Sequence, residues 1–233
     1  AGISVAAVNY RFTIANKAHA PAAYLDGARA LQFLRHNAEK WNLNPGFVAS
    51  TGGSAGAGIS MYMAFHEDLA DPDSADPIAR QSTRLTCIAV TNGQCSYDPR
   101  FAEKIGIPRP NFEQHQFFLP FYDITEDEID TPCAYQLYEE AAPITYLSQD
   151  APPAWLSYGH PDADVDENTP LGLIVHHPKF GIALKERLDE LGIECVVQYL
   201  DGPEGKLVRH YGQAEDGVIS EVEFVCKHLG RTD

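Results

Sequence analysis

Short apolar runs alternate with amphipathic segments along most of this chain, and that alternation restricts the fold more than any other feature. Ile3 to Tyr10, Phe47 to Thr51, Leu85 to Val90, Ala154 to Tyr158 and Cys195 to Leu200 are brief and mostly apolar. Parallel strands covered on both faces read this way. Between the runs lie helical patterns. From Tyr24, the positions Ala28, Leu31, Leu34, Ala38 and Trp41 fall on one stripe, with Arg35, Glu39 and Lys40 off it, until Asn44-Pro45-Gly46 stops the pattern. Ser54 to Leu69, Phe180 to Leu191 and Val218 to Leu229 read as further helices. The whole predicts an α/β fold, a mostly parallel sheet flanked by helices.

One stretch interrupts the alternation. Residues 97–151 carry no strand pattern but hold Phe101, Phe112, Phe117, Phe118, Phe121, Tyr122, Tyr135 and Tyr138, together with the acidic segment Thr125 to Asp130. A long aromatic insertion between core strands predicts a cap or lid, so residues 1–96 and 152–233 are expected to form the core and 97–151 the cap. Charge narrows the partners. Seventeen basic against thirty-three acidic residues give a net charge of -16, which repels phosphate backbones and argues against nucleic-acid binding. No apolar run reaches the roughly 18 residues of a membrane span, and nothing marks a compartment. The cysteines Cys87, Cys95, Cys133, Cys195 and Cys226 lack the spacing of a zinc knuckle or a redox pair, and Cys87 and Cys195, in apolar strand-like runs, are expected to be buried inert thiols.

The sharpest local signal is Gly52-Gly53-Ser54-Ala55-Gly56, a G-x-S-x-G pattern between an apolar strand and a helix. A serine on such a sharp turn needs small neighbours and is held out above the sheet edge, at the amino end of the following helix. A glycine-rich phosphate turn fits poorly, because no Gly-x-Gly-x-x-Gly register and no Gly-Lys-Ser/Thr can be drawn here. Ser54 is therefore the candidate nucleophile.

With Val8-Asn9-Tyr10-Arg11, Asp26 in Tyr24-Leu25-Asp26-Gly27, the serine motif, Ala142-Pro143-Ile144 and Pro152-Pro153-Ala154-Trp155-Leu156, the chain resembles the α/β-hydrolase esterase/lipase family. Its nearest branch is the bacterial carboxylesterases related to hormone-sensitive lipase. The resemblance implies an α/β-hydrolase fold and ester hydrolysis by a Ser-His-acid triad in the chain order Ser, Asp or Glu, His, without metal or organic cofactor. It places the acid at Asp162 in Gly159-His160-Pro161-Asp162-Ala163-Asp164-Val165, with Asp164 and Asp166 as neighbours on the same loop. It places the base after the last strand, where His210 is the histidine between Leu200 and the final helix. The family's Gly-His-Gly setting is absent there, which keeps His177 as an alternative. His176 and His177 otherwise read as helix-entry packing beside Pro178, and His66-Glu67 as surface. Gly53 and Ala55 belong to the elbow, with Ala55 N–H donating to the oxyanion. Phe117, Phe118, Phe121 and Tyr122 are expected to shape a pocket for apolar or aromatic esters.

The family's His-Gly-Gly oxyanion loop has no counterpart, because the sequence opens at what would be the fourth of eight strands. The family's strand order would leave a gap between residues 3–10 and 47–51, so an upstream segment or a second copy is expected to complete the sheet. Other readings are a carbohydrate deacetylase or peptidase on the same scaffold, or a non-catalytic binding protein.

Overall fold

A computed structural model describes residues 2–114, 116–201, 206–210 and 219–231. Among them the sheet runs in the order β1 (Ala49–Gly53), β2 (Cys87–Thr91), β3 (Ala154–Tyr158), β4 (Cys195–Asp201), β5 (Lys206–His210). The first four strands are parallel, and β5 returns antiparallel to β4. Four of the five expected strands are therefore present. β5 was not anticipated, because Lys206 to His210 is a mixed polar run of low strand character.

Strand periodicity divides the core between two faces. On β2, Ile88 and Val90 join Leu156 of β3 and Val197 of β4 in the large apolar cluster. Cys87 and Ala89 face the other way, with Trp155 and Val196, against Phe224. Successive side chains of a strand point to opposite faces, so one apolar run supplies both layers. The large face is covered by α2 (Ala22–His36), α3 (Ala55–Phe65) and α9 (Lys179–Glu190). The small face is covered by α10 (Glu221–His228), which Ser220 opens with a capping box. Trp155 Nε1 and Gln198 Nε2 both donate to the carbonyl of Ile219, just before that cap.

The insertion is helical, with α4 (Pro99–Lys104), α5 (Arg109–Glu113), α6 (Phe118–Tyr122) and α7 (Pro132–Ala141). Two of these begin with proline behind a side-chain cap, Asp98 on Arg100 N–H and Thr131 on Ala134 N–H. Proline suits the first turn because the N–H it lacks has no helical partner there. Phe118, Tyr122 and Tyr138 share one apolar cluster with Ile88 and Leu156 of the sheet.

The expectation of a strand at Ile3 to Tyr10 is not met. That segment is extended and forms no ladder, and Ile3, Val5 and Val8 are exposed. A strand exists only through the hydrogen bonds of a neighbour, and among the described residues β1 is paired on one side alone, to β2. Apolar composition without that partner leaves an extended coil. The short α1 (Thr13–Asn16) follows it, and Arg11 anchors the segment to α2 through a forked ion pair to Asp26, closest at 2.9 Å.

Candidate active site

Ser54 stands between β1 and α3 with φ 50° and ψ −113°, a conformation that a residue with a side chain adopts only under constraint. The constraint is visible in the backbone. Ser54 N–H donates to the Thr91 carbonyl at 2.9 Å, and Gly58 N–H donates to the Ser54 carbonyl at 3.1 Å. The first and last glycines of the motif touch, since a Cβ on Gly52 would lie 2.6 Å from the Gly56 carbonyl carbon and oxygen. The spacing of the motif thus follows from steric contact across the turn. Gly52→Ala is expected to destabilise the protein by about 1–3 kcal/mol and to lower any Ser54-dependent turnover by about 100-fold. Urea midpoints and ester hydrolysis would check this, and activity close to the parent would show that the turn tolerates a methyl group.

The Ser54 hydroxyl meets His176, with Oγ and Nε2 2.9 Å apart. His176 follows α8 (Leu171–Val175) as its C-cap. Burial pushes its pKa below the ordinary histidine value of 6.5, and neighbouring His160 adds to this, while the Gly172 carbonyl pulls the other way. The His160 and His176 rings stack at 6.5 Å between centroids and 12° between planes. A carbonyl can only accept, so Gly172 favours a proton on the far side of the ring and leaves Nε2 to accept from Ser54 Oγ–H. A neutral imidazole on a strained serine has the arrangement of a base on a nucleophile.

Both groups open into a cavity of about 310 Å³, lined also by Gln94, Tyr97, Phe117, Phe118, Phe121, Gly172 and Val175. Among the described residues, no charged side chain lines it.

Known proteins resemble this chain over parts of its length. Residues 1–94, which include the serine turn, match the family model described as BD-FAE. The probable carboxylic ester hydrolase LipM of Mycobacterium tuberculosis is 27% identical over 168 residues, covering 72% of this chain and 36% of LipM. Among solved structures, an acetyl ester-xyloside bifunctional hydrolase from Caldicellulosiruptor lactoaceticus superposes with a TM-score of 0.56 at 19% identity, over 82% of this chain and 58% of that one. A bifunctional GH43-CE protein of Bacteroides eggerthii gives a TM-score of 0.65 at 16% identity, over 97% of this chain and 29% of that one. The chain has the α/β-hydrolase fold. It spans about a third of LipM's length.

The structure places the sequence-predicted residues unevenly. Ser54, Gly53 and Ala55 form the turn as expected. Phe117, Phe118 and Phe121 line the cavity, whereas Tyr122 lies behind them, buried against Phe118, Phe121 and Tyr138. Asp162 is exposed and makes no hydrogen bond to His176 among the described residues, as is true of Asp164 and Asp166. His177 turns away from Ser54. Its Nε2 lies 3.0 Å from the Ala163 carbonyl, and its Nδ1 accepts from Lys179 N–H at 3.2 Å.

His210 ends β5, and its side chain lies outside the described residues. Its strand residue pairs with Val197, level with the middle of β4, and β5 is four strand spacings from β1, about 19 Å. The ring that meets the Ser54 hydroxyl is that of His176, a residue that reads in the sequence as helix-entry packing. The signal that could have found it is the pair His176-His177 itself, because two adjacent side chains at a helix end point in different directions.

Proposed function

We propose that this chain hydrolyses small to medium carboxylic esters, with Ser54 as nucleophile and His176 as its base. The observation that carries the reading is the 2.9 Å contact between a neutral, half-buried imidazole and a serine held at positive φ, at the mouth of an apolar cavity. His176 would take the Oγ proton as Ser54 attacks the ester carbonyl, then deliver it to the leaving alcohol, leaving an acyl-enzyme for water to cleave by the same steps in reverse. Ala55 opens α3, where first-turn N–H groups have no intrahelical acceptor, so its N–H suits the oxyanion. The Gly172 carbonyl favours the tautomer in which His176 Nε2 is free to accept the serine proton.

A fluorophosphonate probe tests the reading directly. Rapid labelling is expected on the peptide containing Ser54, and a chain that stays unlabelled while folded would support the non-catalytic binding protein instead. Esters of acetylated sugars, set against simple aryl esters, would separate a carbohydrate deacetylase from a general carboxylesterase.

The insertion serves this reading as the cap of the pocket, and two adjacent residues should behave differently. Phe117 is 43% exposed and Phe118 3% exposed, yet both line the cavity. Phe118→Ala is expected to lose about 3–5 kcal/mol of stability, while Phe117→Ala should cost under about 1 kcal/mol and shift preference among acyl-chain lengths. Thermal melts alongside a C2 to C10 aryl ester series would show it. Equal stability losses would place Phe117 in the core.

A further inference from the structure

We infer that Gln94 is a positioning residue that sets His176 against Ser54, an inference that rests on the serine-hydrolase reading above. Gln94 is 1% exposed and lies in the turn after β2, next to the cavity. Its Nε2 donates to the carbonyl of Val175, the residue immediately before His176, and more weakly at 3.3 Å to the Asn92 carbonyl. Its Oε1 accepts from the Tyr97 hydroxyl at 2.7 Å. The amide therefore has both ends engaged, and the Val175 and Asn92 carbonyls, which can only accept, fix the NH2 end toward α8. Val175 ends α8, where carbonyls lack intrahelical donors, so Gln94 supplies a buried partner at the point from which the base projects.

The other end of this link reaches α3, the helix that follows Ser54. Gly93 packs so tightly on α3 that a Cβ there would lie 2.8 Å from Ala57 Cβ and 2.9 Å from Met61 Cε. Its carbonyl also accepts from the Tyr158 hydroxyl at 2.8 Å. Asn92 N–H donates to the Ser157 carbonyl at 2.7 Å, and Asn92 Oδ1 accepts from Gly159 N–H at 3.0 Å. The three residues Asn92, Gly93 and Gln94 thus rest on the helix of Ser54, on the end of β3 and on the helix that carries His176. A fixed spacer between nucleophile and base is what the chemistry needs, because a misplacement of about 1 Å can cost about 100-fold in rate.

The experiment compares Gln94→Leu with the parent on a short-chain aryl ester. A positioning role predicts a kcat loss of about 10- to 100-fold with KM changed less than about twofold. It also predicts that the acid limb of the pH profile moves toward 6.5 as the ring leaves its buried seat beside Ser54, His160 and the Gly172 carbonyl. Tyr97→Phe keeps the ring and removes only the hydroxyl, so it should fold even where Gln94→Leu does not, and should lose about 3- to 10-fold in kcat. Gln136→Leu, on the exposed side of α7, is the control and should match the parent. A kcat within twofold of the parent for Gln94→Leu would overturn the inference, as would parent-like kcat for Tyr97→Phe where Gln94→Leu does not fold. A loss shared between kcat and KM, with an unmoved pH profile, would also overturn it. His176→Ala in the same assay separates the two readings: full activity there removes His176 as base, whereas an inactive His176→Ala beside an unaffected Gln94→Leu removes only the positioning role.

Discussion

Replacing Ser54 with alanine is expected to reduce ester turnover by about 10⁴-fold or more while leaving the thermal transition within a degree or two of the parent. The hydroxyl makes one side-chain contact in the described structure, to His176 Nε2, and the turn is held by backbone bonds to Thr91 and Gly58 that alanine keeps. Losing a member of a nucleophile and base pair removes the covalent route and leaves only what binding and the oxyanion donors provide. Turnover retained at a tenth of the parent would take Ser54 out of the mechanism. The same substitution should abolish fluorophosphonate labelling.

The second large effect concerns the base. His176→Ala should match Ser54→Ala in lost kcat, and combining the two should add little, because groups that act as a unit are not additive. His210→Ala should keep most of the activity, since β5 lies four strands from the nucleophile. In the parent, kcat/KM should fall as pH drops through a value below 6.5. The sign follows from the chemistry: only neutral His176 can accept the serine proton, and burial together with His160 lowers the pH at which the ring becomes charged. An acid limb centred above 6.5, or an inactive His210→Ala beside an active His176→Ala, would restore the base to the place that chain order suggests.

Three of the strands legible in the sequence, β2, β3 and β4, are apolar runs that become largely buried, while β1 is legible from its place before the serine turn. Ala154 to Tyr158 was read with its observed limits because Ala154, Trp155, Leu156 and Tyr158 are all buried. Ile3 to Tyr10 has similar composition, yet composition cannot report whether a neighbouring strand is there to pair. The serine turn was legible because its constraint is local, with Gly52 meeting Gly56 within one turn. The partner of Ser54 was not, because His176 is 122 residues away and reaches it by the packing of a five-residue helix over a cavity. Gln94 carries no motif at all. Its part depends on an orphan carbonyl at the end of α8, and such a carbonyl has no trace in sequence.

The insertion and the sheet share one apolar cluster, in which Phe118, Tyr122 and Tyr138 pack with Ile88 and Leu156. On the reading proposed above the insertion is a roof built into the same cooperative unit as its floor, and it cannot drift in sequence independently of that floor. Diversification of substrate range in such an architecture is channelled to the few wall positions that also face water, of which Phe117 is the clearest, while changes deeper in the wall are filtered first by whether the chain still folds.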